Sequence, residues 1–365
     1  MSRPAKIIID LAAIRTNCRL AQMLAPQSKT AAVIKADAYG HGAVEVAKAI
    51  EPQVEMLSVS CLEEAILLRE SGLTKPILLL EGCFSQNEID LAVQNQCELV
   101  IHSQWQVSQL LSASVKESIN IWLKIDTGMH RLGISPQQVE EIYATLSGAK
   151  IVKKVRLVSH FAHADEIDGA HTSQQINQFN SCIQNIVASS KQKTELSLAN
   201  SAAILAWPAT RVDWNRPGIM MYGLSPFSQP QELANQLIPA MHFESRIIAL
   251  RQVAVGESVG YGCTWQAMRP SIIATIAVGY GDGYPRSAKS GTPVLINGYR
   301  APLAGRVSMD LISVDVTNLT KVNIGDTAVL WGKELNVNEV AKWADTIGYE
   351  LVTRMPKRVE RVFVN

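Results

Sequence analysis

The chain has 365 residues, which exceeds what one hydrophobic core usually holds, so two domains are expected. Its 34 basic and 33 acidic residues give a formal net charge of +1, and no charged block indicates nucleic acid or an anionic membrane as a partner. No apolar run reaches the length of a membrane span, and the first one is too short for a signal peptide. We therefore expect a soluble, cytoplasmic protein.

The first helix is predicted over 11–24, with Asp10 as its N-cap. Strand-like runs then alternate with amphipathic helical runs. The strands are predicted over 30–34, 56–59, 76–80, 98–101, 119–125, 155–159, 195–198 and 212–214. The helices between them include 62–70, 88–94, 104–111, 137–146 and 173–188. This alternation predicts an N-terminal parallel (β/α)8 barrel of the TIM type.

The composition changes after about residue 233, where β-branched runs are separated by glycine and proline turns. These runs are 245–253, 271–278, 293–296, 309–316 and 327–331, and a single helix is predicted over 337–347 with Gly348 just beyond its end. The pattern predicts a barrel domain over 1–233 and a mainly antiparallel β domain over 234–365. Residues 1–9 could pair with the β domain.

The six cysteines stand at positions 18, 61, 83, 97, 182 and 263. They show neither CxxC spacing nor clustering. In a chain of this size the pattern favours buried, reduced thiols over a disulfide framework.

Lys35 follows the first predicted barrel strand, and the chain then breaks at Gly40 and Gly42 before a helical pattern begins near Ala43. A buried ammonium at a strand end is costly unless it is paired, deprotonated or covalently used, so this lysine points to chemistry. The alternative is a lysine whose stem packs on the strand while its ammonium reaches solvent.

Active sites of such barrels lie at the carboxyl ends of the strands, and phosphate commonly binds after the seventh and eighth. Ser201 follows the seventh predicted strand and Gly218 the eighth, so a hydroxyl and backbone N–H groups are available to a phosphate. A lysine that faces a phosphate site suggests pyridoxal 5′-phosphate attached to that lysine.

Seven segments resemble the alanine racemases, isomerases that use pyridoxal phosphate and have an N-terminal barrel followed by a C-terminal β domain. They are AVIKADAYGHG at 32–42, KIDTGMHRLG at 124–133, and the segments 200–203, 216–223, 258–262, 278–284 and 305–310. The resemblance implies racemisation of L- and D-alanine, either for D-alanine biosynthesis and the cell wall or for D-alanine catabolism. A broader alanine and serine racemase is the alternative.

The resemblance also implies two catalytic bases. Lys35 would bind the cofactor and act on one face of the substrate, and Tyr261 of the partner subunit would act on the other. Racemisation needs this arrangement, because a proton must leave one face of a planar carbon and return on the opposite face. The expected assembly is therefore a homodimer with shared active sites. Without the resemblance, Tyr261 would be interpreted as a surface residue of a glycine-rich turn.

Arg216 matches an arginine that contacts the pyridine nitrogen of the cofactor in this family. A guanidinium does not give up its proton, so that nitrogen stays unprotonated and the ring is a weaker electron sink. His160 matches the residue that orients this arginine, although a hydrogen-bonded core histidine fits almost as well.

Further roles follow from the same resemblance. The cofactor phosphate would be held by Tyr39, Tyr349, Ser201, Gly218 and Ile219. Arg131 and the Met309 N–H would bind the substrate carboxylate, and Asp310 would support them. Tyr280, Arg286, Arg306 and Asp165 match residues that line a narrow entrance, but each could equally be a solvated polar residue. Lys124 matches a lysine that is carbamylated in many family members; an unmodified lysine paired with an acidic neighbour is the alternative.

The sequence disfavours three rival interpretations. His160 and His163, with Asp165 and His171, could bind a metal, but residues three apart at a strand end face opposite sides of the pleat, so no metal site is predicted. A pyridoxal-phosphate decarboxylase is disfavoured because Arg216 stands where an acidic partner would make the ring a strong electron sink. A cofactor carrier that resembles single-domain barrel proteins is disfavoured by the whole β domain.

Overall fold

The computed structural model describes residues 3–115, 117–167, 169–189 and 193–365. Eight parallel strands close into a barrel in chain order, which confirms the predicted fold class. With the preceding strand numbered β1 (Lys6–Asp10), they are β2 (Lys29–Val33), β3 (Met56–Val59), β4 (Ile77–Leu79), β5 (Cys97–Ile101), β6 (Ile119–Lys124), β7 (Val152–Val158), β8 (Leu196–Ser197) and β9 (Trp214–Asn215).

Helices alternate with these strands and bury their apolar faces. They are α1 (Leu11–Leu24), α2 (Ala43–Ile50), α3 (Leu62–Glu70), α4 (Gln86–Gln94), α5 (Gln104–Ser112), α6 (Val139–Gly148), α7 (Ala170–Ser189) and α8 (Ser201–Ala206). Asp10 caps α1 as predicted, since its carboxylate accepts from the N–H of Ala13 at 2.8 Å. Within the described ranges, no helix is long and apolar enough to cross a membrane.

A buried charged cluster fills the amino-terminal end of the barrel. The Arg156 guanidinium lies 5.3 Å from the ring centroids of both Trp122 and Trp214. It also pairs with Glu98 at 2.5 Å and with Glu195 at 2.6 Å. Glu98, Glu195 and Trp214 lie at or next to the amino ends of their strands. Because these side chains fill the amino-terminal end of the barrel, the carboxyl ends of the strands are the place where a ligand could bind.

We predict that Arg156→Met lowers the free energy of unfolding by about 3–5 kcal/mol, because Glu98 and Glu195 would lose their buried cationic partner. Urea unfolding measures the change. The control is Lys154→Met, whose partly exposed ammonium pairs with the same Glu195 at 3.1 Å. That change should cost no more than about 1 kcal/mol. Equal losses in the two variants would contradict a special role for the buried pair.

The C-terminal part of the chain forms the second domain. Its strands are β10 (Met241–Val253), β11 (Ser258–Val259), β12 (Trp265–Gln266), β13 (Ser271–Ile276), β14 (Pro293–Ile296), β15 (Tyr299–Pro302), β16 (Ile312–Asp315), β17 (Thr327–Trp331) and β18 (Glu360–Val364). The main sheet runs in the order β15-β14-β17-β10-β1-β18, and β13 joins β10 to β16.

This sheet includes β1 from the start of the chain. β1 pairs antiparallel with β10 and parallel with β18, while the other ladders of the sheet are antiparallel. Residues 1 and 2 of the segment predicted to join the β domain lie outside the described residues. β9 ends at Asn215 and β10 begins at Met241, so the predicted boundary at 233/234 falls in the connection between the two domains.

The single helix predicted over 337–347 is wrong. Asn336 caps α9 (Val337–Trp343), and the chain then reverses at Asp345, whose φ is 55°. A second helix, α10 (Gly348–Thr353), begins at the glycine that was expected to follow the helix end. A Cβ on Gly348 would lie 2.1 Å from the Asn338 Oδ1 atom, so the close packing of the two helices requires glycine there.

The cysteines are free thiols, as predicted. Cys18, Cys83 and Cys97 are buried, and burial raises the pKa of each thiol, to about 12, 12 and 11. The expectation that all six are buried is wrong, because Cys263 is exposed and the other two are half-buried.

Candidate active site

Four cations gather at the carboxyl ends of the barrel strands. Lys124 ends β6, and burial lowers the pKa of its ammonium to about 8. Three neighbouring cations lower that pKa further; they are Arg216, Arg131 and Lys35. The nearby Asp126 carboxylate acts in the opposite direction and raises the pKa of Lys124. However, its carboxylate already accepts from the N–H groups of residues 128, 129 and 130 at 3.0–3.1 Å. We call this end of the barrel, at the carboxyl ends of its strands, the barrel mouth. Its excess of positive charge favours anionic ligands.

Arg216 follows β9 and is 5% exposed. Its guanidinium donates to the carbonyl of Ser159 at 2.6 Å, to the carbonyl of Leu198 at 3.2 Å and to the Ser197 hydroxyl. Burial lowers its pKa to about 10, so it stays cationic at neutral pH. The groups that accept from it are neutral.

His160 lies beside this guanidinium, with its Nδ1 atom 3.5 Å from Arg216. Burial holds the pKa of His160 well below its ordinary value, and the nearby cations, Arg216 first, lower it further. The ring is therefore neutral near pH 7. In the described part of the chain, no group of three or more histidine, cysteine or carboxylate side chains is arranged to hold a metal ion.

Ser201 and Gly218 form a small polar cradle. The Ser201 hydroxyl accepts from the N–H of Gly218 at 2.9 Å and from the N–H of Met220 at 3.3 Å. A Cβ on Gly218 would lie only 2.8 Å from the Tyr39 hydroxyl oxygen, so a glycine leaves the space that this phenol uses. The Ser201 hydroxyl can donate its own proton while it accepts from these two N–H groups, and the Tyr39 phenol lies beside Gly218, so the cradle offers neutral donors suited to a phosphate.

Tyr39 and Tyr349 lie next to each other, with ring centroids 6.3 Å apart. Burial raises the pKa of Tyr39 to about 12, and burial also raises the pKa of Tyr349. Both phenols therefore keep their protons at neutral pH and can donate to an anion. Tyr349 belongs to α10, so the C-terminal domain contributes to this side of the site. Asp165 is exposed and adds a negative charge near Tyr349.

The residues after Lys35 form a turn of unusual conformation. Ala36, Asp37, Ala38 and Tyr39 all have φ between 52° and 54°, and Gly40 has φ 79°. Each such residue other than glycine costs about 1–2 kcal/mol, so the surrounding structure must hold the turn. We call residues 36–40 the left-handed turn.

Sequence analysis missed Glu64, which supports this turn. Its carboxylate accepts from the N–H of Ala36 at 2.7 Å and from the N–H of Ser60 at 2.8 Å. It thereby joins the segment after β2 to the segment after β3. An acidic residue in the first turn of a helix is usually interpreted as a favourable charge at the helix terminus, and that interpretation hides this role.

Tyr261 and Met309 lie on the C-terminal domain and are 71% and 54% exposed. Tyr261 stands in the turn between β11 and β12, where the Arg306 side chain packs against Gly262. Backbone hydrogen bonds hold the segment of Tyr280 against that of Met309. The N–H of Tyr280 donates to the carbonyl of Ser308 at 3.0 Å, and the N–H of Gly281 donates to the carbonyl of Met309 at 2.8 Å. In the described residues, no hydrogen bond ties Tyr261 to the barrel mouth.

Two more of the predicted entrance residues, Arg286 and Arg306, belong to this surface, whereas Asp165 lies in the barrel domain. Arg286 and Arg306 are exposed. Asp310 pairs with Arg358 at 2.7 Å, and Arg358 also binds the buried Asp282 at 3.0 Å. One chain thus presents two separate groups of the predicted site residues. One group lies at the barrel mouth, and the other lies on the C-terminal domain.

Family models of the N-terminal and the C-terminal domain of alanine racemase match residues 9–226 and 240–363. The chain belongs to the alanine racemase family. It is 52% identical to the alanine racemase of Pseudoalteromonas atlantica, with full coverage of both chains. It is 44% identical to a catabolic alanine racemase of Pseudomonas putida, with 99% of each covered. The crystal structure of the biosynthetic alanine racemase of Pseudomonas aeruginosa superposes with a TM-score of 0.95 at 46% identity, with full coverage of both chains.

These matches confirm the family and the enzyme class that the sequence predicted. The C-terminal alanine racemase model covers residues 240–363, which separates this chain from a single-domain cofactor carrier.

Proposed function

We propose that this enzyme interconverts L-alanine and D-alanine with pyridoxal 5′-phosphate as its cofactor. The observation that carries the proposal is the buried Arg216 guanidinium, whose hydrogen-bond acceptors among the described residues are all neutral. An arginine at the ring nitrogen of the cofactor cannot protonate it. Family membership supports the substrate, and the residues at the barrel mouth support the cofactor.

The residues present fit this cofactor. The Ser201 hydroxyl and the phenols of Tyr39 and Tyr349 would offer neutral donors to the phosphate, and the N–H of Ile219 would add one more. The Gly218 backbone orients the Ser201 hydroxyl. Lys35 would bind the cofactor covalently from the carboxyl end of β2, which pairs with β9. When bound, pyridoxal phosphate withdraws electrons from the substrate and makes its Cα–H bond acidic.

The chain would then move the Cα proton with two groups. Lys35 removes or returns the proton on one face, and the partner subunit's Tyr261 does so on the other. Arg131 holds the substrate carboxylate from the barrel side. The partner's Met309 donates its backbone N–H to the same carboxylate. Arg216 favours return of the proton to Cα, since it keeps the ring a weak electron sink, and His160 orients that guanidinium.

A cytoplasmic homodimer is the assembly that we propose. Tyr261 and Met309 project from the C-terminal domain and are exposed within one chain, although both would act on substrate. A second copy would cover them and complete each site. Tyr280, Arg286, Arg306 and Asp165 would line the entrance, and Asp310 would support Met309. Free cysteines suit the reducing cytoplasm.

The proposed reaction is tested by incubating the purified enzyme with D-alanine and pyridoxal phosphate in D₂O. We expect L-alanine to form and deuterium to enter Cα. Lys35→Ala should abolish both results. Release of carbon dioxide would indicate a decarboxylase, and absence of both products would overturn the proposal. A panel of small amino acids that includes serine measures how broad the substrate range is.

We predict that Tyr261→Phe lowers kcat for racemisation by about 100-fold or more, because one of the two proton-transfer groups is lost. The visible absorbance of the bound cofactor should be unchanged, since Lys35 still holds it. Tyr299→Phe is the matched control, because Tyr299 is also exposed on the C-terminal domain, at 69%, but lies outside the proposed site.

Mixing two inactive variants tests whether Tyr261 acts across the interface. A dimer of one Lys35→Ala chain and one Tyr261→Phe chain has one site with both bases, so mixing should restore part of the activity. Activity that stays absent in dimers shown by mass spectrometry to be mixed would contradict action across the interface.

We also predict that Lys124 is carbamylated. Its pKa of about 8 leaves part of the amine uncharged at neutral pH and most of it uncharged above pH 8. The amine would attack carbon dioxide to form an N–C bond and release one proton, which gives an anion able to pair with Arg131. Electron density at Nζ in crystals grown with bicarbonate should show the carbamate. Bare amine density at high resolution would contradict it, and acidified, degassed crystals are the control.

A further inference from the structure

The left-handed turn is held from outside the barrel by the last strand of the chain. The Arg361 side chain in β18 donates from Nε to the carbonyl of Gly40 at 3.1 Å. Its Nη2 atom donates to the carbonyl of Met355 at 3.1 Å and lies 3.4 Å from the Asp37 carboxylate. One guanidinium thus joins the left-handed turn to residues 348–365, which we call the C-terminal segment.

Two further contacts place the same segment against the turn. A Cβ on Gly40 would lie 1.9 Å from the carbonyl oxygen of Val352 in α10. A Cβ on Gly42 would lie 2.8 Å from the ring of Phe363, which is two residues after Arg361 and therefore on the same face of β18. Side chains at either glycine would push the C-terminal segment off the turn.

The turn needs such support because it is strained. Its non-glycine residues with positive φ persist only if neighbouring groups fix them. Within the barrel, Glu64 binds the N–H of Ala36 at one end of the turn. The buried His41 ring lies 3.2 and 2.9 Å from the carbonyl oxygens of Ala38 and Tyr39. Arg361 reaches the carbonyl of Gly40 at the end of the turn and the carboxylate of Asp37 within it.

We propose that Arg361 is a positioning residue for the active site. It fixes the end of the left-handed turn. The turn thereby fixes Lys35, which directly precedes it, and Tyr39, which belongs to it. Loss of the Arg361 contact therefore loosens Lys35 and Tyr39. It does not remove any group that touches the substrate. The inference rests on the proposed function for the roles of Lys35 and Tyr39.

The experiment compares Arg361→Met, which removes the donors but keeps the apolar stem, with Arg361→Lys, which keeps one donor. The matched control is Arg354→Met in the same C-terminal segment, whose exposed guanidinium pairs only with Glu350 among the described residues. Hydrogen exchange of peptides that cover 35–43 is measured on the full chain, with and without pyridoxal phosphate. Thermal unfolding is measured alongside.

In Arg361→Met we expect exchange within 35–43 to be about tenfold faster, since a hydrogen bond to a charged group is lost. Cofactor affinity, followed by visible absorbance, should weaken by a similar factor. kcat should fall while KM for alanine stays unchanged, because Arg131 is not touched. Arg361→Lys should lie between Arg361→Met and the parent, and Arg354→Met should match the parent.

The proposal is overturned if exchange within 35–43 is unchanged in both Arg361 variants, or if Arg354→Met accelerates it equally. If Arg361→Met fails to fold, the lysine variant still decides. The exchange measurement reports the backbone itself, so it remains informative if the chain proves unable to racemise alanine. A failure of the proposed function and a failure of this inference are therefore distinguishable.

Discussion

The site depends on closure of the barrel around the buried guanidinium of Arg216. A buried cation needs hydrogen-bond acceptors, and here they include the carbonyls of Ser159 and Leu198. These two residues directly follow β7 and β8, which pair with each other and, through β8, with β9. The neighbouring ladders β7–β8 and β8–β9 therefore also position the acceptors. A slip in this register would leave the charge without partners, so fold and site are specified together.

The same end of the barrel holds more positive charge than its own carboxylates neutralise. Lys124 lies close enough to three other cations for its pKa to fall to about 8, while Asp126 is engaged by its own loop. The amino-terminal end shows the opposite arrangement, because Arg156 there has carboxylate partners on two strands. One end is thus internally neutralised and contributes to stability. The other is left to be neutralised by anions that bind, which in the proposed function are a phosphate and the substrate carboxylate.

Sequence alone placed the strand ends within a few residues, so Lys35 and Arg216 could be assigned to one end of the barrel in advance. It could not predict the left-handed turn. Alanine disfavours positive φ, and although aspartate and glycine tolerate it, one of each does not predict four consecutive non-glycine residues in that conformation. The conformation depends on Glu64 and Arg361, which are distant in the chain, so local propensity had no means of revealing it. The role of Tyr261 came from resemblance alone, since an exposed tyrosine in a glycine-rich turn has no other distinguishing pattern.

The path of the chain explains why the two domains cannot be considered separately. β1 begins in the C-terminal sheet between β10 and β18, and α1 then leads directly into the barrel. The last strand returns beside β1, and its alternation turns Arg361 and Phe363 toward the segment that follows Lys35. The strands β1 and β18 therefore lie side by side, and β18 contacts the segment that follows the first barrel strand. Because Tyr349 reaches Tyr39 from the same side, the C-terminal segment shapes the barrel site within its own chain. In the proposed dimer the C-terminal domain would serve two sites, one through these packed contacts and the other through exposed Tyr261.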